Sequence, residues 1–307
     1  MRFVQRRVVR KLGQLRNGRG DPADTNRRNI VITGPGRSGT TLTCHLLSKL
    51  PDTIALSEPI SPGKYANRLP DREAVCDGIQ DFYRDMRTMA LERGLVKSKH
   101  VGGVVPDNTK GMRNGVRQRV AEKGKISVGK DLSPDFYLAI KQPGMFTALL
   151  SDLTERFPCF AIVRNPLAIM ASTTTLQETR RRKNPSAKRR YDPELEMLLQ
   201  KIKKEGADKL DQRLARFHHA FERYQQALPP ENVIRYEDIC ESNGRALSVI
   251  VPAASDLDEP LENKNTNPLY KGNDEVLRFG ERLLESEGAY WHFYSRKSVE
   301  EIMNGLA

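Results

Sequence analysis

The sequence predicts an α/β chain of three layers, with a central, mostly parallel β-sheet flanked by helices, and three observations predict it. Residues 29–50, NIVITGPGRSGTTLTCHLLSKL, run from a β-branched strand (Ile30, Val31, Ile32) through Gly34, Pro35, Gly36 and Gly39 into leucines at helical spacing. Residues 159–172 repeat the scheme: an apolar strand ends at Arg164, and Asn165-Pro166 opens a helix. The third observation is size, since 307 residues with 38 % hydrophobic content can bury one large core.

The first of these units is an anion cradle. Backbone N–H groups from Arg37 to Thr41 converge at the start of the helix, where the positive end of its dipole also lies. The spacing of Gly34 and Gly39 is that of the nucleotide-triphosphatase loop G-x-x-x-x-G-K-[ST], so the fold is P-loop-like. Thr40, however, stands where that loop has its lysine, and the cation is Arg37, inside the loop. Its planar fork suits a phosphate or sulfonate oxygen.

Pro35-Gly36-Arg37-Ser38-Gly39-Thr40-Thr41, following a strand, resembles the loop with which sulfotransferases hold the 5′-phosphosulfate of 3′-phosphoadenosine-5′-phosphosulfate (PAPS). The second unit is similar to that family's 3′-phosphate site, with Arg164 at the strand end and Ser172 eight residues on. The resemblance thus implies a PAPS-dependent enzyme whose donor is bound by Gly36, Arg37, Ser38, Gly39, Thr40, Thr41, Arg164 and Ser172. It covers residues 29–239 and points to the carbohydrate and tyrosylprotein branches.

Along the chain, 53–56 reads as a second strand that delivers Glu58 to the sheet edge where α/β proteins bind ligands. Alone, Glu58 fits a surface turn; in the resembled branches it matches the catalytic base. Residues 71–93 form a charged amphipathic helix with Val75, Ile79, Phe82, Met86 and Met89 inward. The glycine-rich stretch 94–124, weakly helical near 112–121, is the expected acceptor-binding insertion, and its His100 reads as a surface or packing residue. A third strand at 125–130 is expected to bring Lys130 and Asp131 to the same edge, where the resemblance implies that the lysine touches the sulfonate. Residues 143–157 read as a helix, 193–228 as one or two long helices, 232–236 (NVIRY) as a buried strand and 275–285 as a helix. The adjacent His218 and His219 face apart and make a poor metal pair.

Charge is concentrated at two places. The formal net charge is +12, of which residues 1–28 carry +7 and residues 180–190 another +7, leaving −2 for the rest. The basic blocks lack aromatic interleaving or a nucleic-acid module, so nucleic acid is not an expected partner. Residues 1–28 read as a basic tail, either solvated or an amphipathic helix for an anionic membrane surface. Residues 29–307 read as one sulfotransferase-like domain with insertions around 94–124 and 180–192, the latter a lid or a linker. Four scattered cysteines without a Cys-x-x-Cys pair fit reduced thiols in the cytoplasm, peripheral to a membrane if the tail binds one. No run of apolar residues is long enough for a transmembrane anchor, and no metal site is implied.

The resemblance implies in-line transfer of a sulfonate to an acceptor hydroxyl, with Glu58 as general base and Arg37 and Lys130 stabilising charge. The first-choice acceptor is a glycan or glycolipid hydroxyl. The alternatives are a P-loop kinase, against which the missing loop lysine counts, and a catalytically inactive nucleotide-binding protein.

Overall fold

The structure, a computed structural model, describes residues 27–113, 116–175 and 189–306. Its centre is a five-stranded parallel sheet in the order β2-β7-β1-β8-β9, formed by β1 (Asn29–Thr33), β2 (Thr53–Ser57), β7 (Tyr137–Lys141), β8 (Cys159–Val163) and β9 (Val233–Arg235). β8 is buried along its whole length, which is why it reads as one continuous apolar run. The α/β fold expected from the sequence is the one observed.

Helix α1 (Thr40–Lys49) connects β1 to β2, whereas α4 (Met145–Ala148) and α5 (Leu150–Thr154) connect β7 to β8. α6 (Pro166–Thr174), α7 (Pro193–Lys204) and α8 (Lys209–Ala227) lie between β8 and β9. The two sets move along the sheet in opposite directions, so the right-handed crossovers such units take put them on opposite faces. A short α2 (Gly63–Ala66) and the long α3 (Arg72–Arg93) follow β2, with α3 capped by Asp71 and ended by Gly94 at φ +60°. After β9 come α9 (Tyr236–Glu241), α10 (Asp274–Glu285) and α11 (Arg296–Leu306). Among the described residues no helix is long and apolar enough to cross a membrane.

Two expectations are corrected here. Residues 94–127 contain no helix among those described: β3 (Leu95–His100) pairs antiparallel with β6 (Glu122–Ser127), and β4 (Lys110–Arg113) pairs with β5 (Val116–Arg119). The strand expected at 125–130 is therefore part of a separate hairpin, and Ile126 is the one buried residue of β6. The third core strand is Tyr137-Leu-Ala-Ile-Lys141, a run that lies too close to Pro134 and Pro143 to stand out from the surrounding loop. Arg28 also belongs to the body, since its carbonyl accepts from Leu138 N at 2.8 Å and its guanidinium lies over Tyr137. Residues 1–26 and most of the basic block at 180–192 lie outside the described residues.

Candidate active site

β1, β2, β7 and β8 are parallel, so their C-terminal ends reach one sheet edge, and the candidate groups leave the strands there. β1 runs into the loop 34–39, which needs left-handed backbone at Gly34 (φ +145°), Arg37 (φ +75°) and Gly39 (φ +95°). A Cβ at Gly34 would stand 2.2 Å from the Ile162 carbonyl, and one at Gly39 would stand 2.6 Å from the Tyr236 ring. Both glycines are thus fixed by close approach as well as by conformation. Gly39 caps α1 without any side-chain acceptor for the helix's first N–H groups, and Ser38 Oγ is buried with no partner among the described residues. The loop has the donors of an anion cradle.

The two motifs meet in space. Arg37 Nε donates to Ser172 Oγ at 3.0 Å and its Nη1 to Asn108 Oδ1 at 3.2 Å. Arg164 Nη1 donates back to the Arg37 carbonyl at 3.2 Å, while Nε and Nη2 bind Asn265 Oδ1 and the Lys264 carbonyl. Its guanidinium also stacks 4.4 Å above the Tyr236 ring. These residues line a cavity of about 340 Å³, together with Thr40, Thr41, Arg117, Lys264 and Tyr270. Burial, then the neighbouring Arg117, pulls the Arg37 guanidinium down to about 10. Burial alone would raise the Tyr270 phenol, but Ser172 and the Arg164 and Arg117 charges outweigh it and lower it. Four cations around several hydroxyls and an uncapped helix end are a setting that favours a polyanion.

Arg-Tyr-Glu-Asp-Ile, at 235–239, frames this cavity. Glu237 accepts from Asn165 N, Asn265 Nδ2 and the Tyr294 hydroxyl, holding the Arg164 turn, the 263–265 loop and the C-terminal segment together. Arg117, Lys264 and Tyr270 are cavity residues that the sequence did not single out. Arg117 comes from a hairpin read as loop, and the other two from a polar loop with no residue pattern of its own.

Beside the loop lies a second charged cluster. Glu58, at φ +46° just after β2, binds Lys99 Nζ at 2.5 Å and Lys141 Nζ at 3.1 Å. Lys141 is the last residue of β7, 2 % exposed, and pairs in register with Ile32 and Ser57. Burial alone would raise the Glu58 carboxyl, but Lys141 and Lys99 outweigh it and hold it at about 2. Burial pulls Lys99 down to about 8 against the pull of Glu58. The cluster carries one positive charge more than it balances, which favours a further anion.

Lys130 is elsewhere. Its Nζ donates to the carbonyls of Ser48, Leu50 and Thr53, at the end of α1 and the start of β2, the edge opposite the loop. The expectation that it reaches a ligand with Arg37 is corrected: it caps a helix C-terminus, and Lys141 is the strand-end lysine on the loop side. His100 is a packing residue whose ring lies against Gly124 and accepts from Gly103 N. His219 binds Asp192, whereas His218 accepts from Ala289 N, so the two rings do face apart. Among the described residues no group of three or more His, Cys, Asp or Glu is placed to hold a metal ion.

No family model matches the chain, and no curated protein matches it. Among solved structures, the sulfotransferase STF1 from Mycobacterium tuberculosis H37Rv (type1 form) is similar over 91 % of this chain and 77 % of that one, at 13 % identity and a TM-score of 0.31. A likeness that loose fixes neither residue correspondence nor activity, so the chemistry has to come from the residues themselves.

Proposed function

We propose that the protein is a PAPS-dependent sulfotransferase acting on an acceptor hydroxyl, with a glycan or glycolipid as first-choice acceptor. The observation that carries the reading is the direct contact of Arg37 with Ser172 and of Arg164 with the Arg37 carbonyl, which joins two anion-binding motifs in one cation-lined cavity. In this reading the N–H groups of Gly36 to Thr41, with Ser38, hold the 5′-phosphosulfate. Arg164 and Ser172 hold the 3′-phosphate, and Arg37 spans the two. Lys141 and Lys99 take the place first given to Lys130, meeting the sulfonate oxygens.

The acceptor oxygen attacks sulfur as the bond from sulfur to the nucleotide phosphate oxygen breaks, and the acceptor proton passes to Glu58. A carboxylate held near 2 is a weak base. A sulfonate that draws Lys141 or Lys99 to itself removes the charge that depresses it, so the donor itself would raise the basicity of Glu58. The leaving group is already a stable phosphate anion, and Arg37 neutralises its charge as it forms.

Calorimetry with 3′-phosphoadenosine-5′-phosphate in chelator, against ATP with magnesium, is the test. The reading expects the bisphosphate to bind at least tenfold more tightly. Preference for magnesium ATP would move the site to phosphoryl transfer.

A further inference from the structure

The hairpin of β3 and β6 carries a feature that donor binding does not use. Lys97 stands directly opposite Lys125, and Lys99 directly opposite Lys123. Alternate residues of a strand share a face, so all four lysines lie on one side of the hairpin, with successive pairs roughly 7 Å apart. Like charges directly opposite one another oppose pairing. Lys99 turns inward to Glu58, and Lys123 Nζ donates to the Ile60 carbonyl. Lys97 and Lys125 are exposed and make no hydrogen bond or ion pair with the described residues. An open groove of about 240 Å³ runs over this face, lined by Lys97, Lys123, Lys125 and Ser98 and ending at Pro59, next to Glu58.

We infer that this lysine face is an acceptor subsite for an acidic glycan, holding a carboxylate or sulfate on the sugar next to the one whose hydroxyl reaches Glu58. The inference rests on the sulfotransferase reading for the word acceptor. Three things point to the occupant: the groove's charge, its continuity with the proposed base through the Lys99–Glu58 pair, and an opening that admits a chain. A neutral sugar would leave the repulsion between Lys97 and Lys125 in place, whereas an anion between them offsets it. Lysines, as flexible point charges, also tolerate the varied spacing of anions along a polysaccharide.

The test uses hyaluronan hexasaccharide, its carboxyl-reduced counterpart and a mixed-sequence single-stranded DNA oligonucleotide, titrated into wild type and a K97Q/K125Q double variant. Bisphosphate affinity is measured in parallel. The acidic hexasaccharide is expected to bind with strong salt dependence, the reduced one at least tenfold more weakly, and the variant to lose at least tenfold for the acidic form alone. Bisphosphate affinity should stay within twofold and the melting temperature should hold or rise, since a repulsive pair is removed. Equal binding of the reduced sugar, full binding by the variant, or tighter binding of the oligonucleotide would overturn the subsite. Lysine-dependent glycan binding without bisphosphate binding would keep the subsite and remove the transferase reading, and the converse would do the opposite.

Discussion

At the scale of single residues, Glu58 carries the sharpest consequence. Its carboxyl is held at about 2 by Lys141 and Lys99, below its unfolded value, so its stabilising contribution is complete above about pH 4.3 and is lost as pH falls through about 2. Glu58→Gln should therefore cost on the order of 3 kcal/mol in urea unfolding at pH 7, with the difference shrinking toward zero near pH 2. If Glu58 is also the base, kcat falls by roughly 10²–10⁴-fold at a temperature where the variant is folded, while bisphosphate affinity is retained. Full turnover in the variant would remove Glu58 from the mechanism. Arg164→Ala is the matching test of the donor site: loss of a charge-assisted pair should weaken bisphosphate binding by roughly 1.5–3 kcal/mol. Because Arg164 also ties down Asn265 and the Lys264 carbonyl, Arg164→Lys is its control, keeping the charge without the fork. Calorimetry with unchanged affinity in both variants would dismiss the 3′-phosphate assignment.

At the scale of elements, legibility followed local pattern. The loop and its helix were readable because Gly34, Gly39 and the leucines of α1 are all set by short-range sterics and periodicity, and α3 because its apolar residues repeat every turn. β7 was missed because Tyr137–Lys141 owes its place to partners on both sides, β1 and β2, that are distant in sequence. The β3–β6 hairpin was misread for the same reason, its strands being charged and half exposed. Without β7 the sequence does not show Lys141, and Lys130 stands in its place. That exchange makes a prediction: Lys130→Met removes the donor to three carbonyls and should destabilise the fold by about 1–3 kcal/mol, leaving bisphosphate affinity and kcat unchanged. Lys141→Met should do the reverse for kcat, lowering it well beyond its effect on donor affinity. A kinetic defect confined to Lys130→Met would return Lys130 to the site. Gly39→Ala belongs at this scale too, because a methyl there meets the Tyr236 ring at 2.6 Å on a backbone of φ +95°. It should cost stability and bisphosphate affinity together, in thermal melts and calorimetry alike.

At the scale of the whole molecule, the sheet topology decides what would supply charge to the proposed reaction. Five parallel strands end at one edge, and two of those ends deliver cations, Arg164 after β8 and Lys141 on β7, while the loop after β1 adds Arg37 and the inserted hairpins add Lys99 and Arg117. A phosphoryl-transfer enzyme of similar layout uses a strand-end carboxylate to hold magnesium, and the metal then neutralises the transferring group. Here the carboxylate at a strand end, Glu58, is already engaged by two lysines, and a metal taking their place would leave buried ammonium groups unpaired. Transfer should accordingly proceed in excess chelator at an unchanged rate, and added magnesium should leave both kcat and bisphosphate affinity within about twofold. Raising ionic strength should weaken donor binding progressively instead, since the charges that do the work are side chains around a water-accessible cavity. Turnover assayed with and without chelator, at two salt concentrations, separates the cases. Activity lost in chelator and restored by magnesium would mean that Glu58 exchanges its lysines for a metal, and the protein would then belong with the kinases.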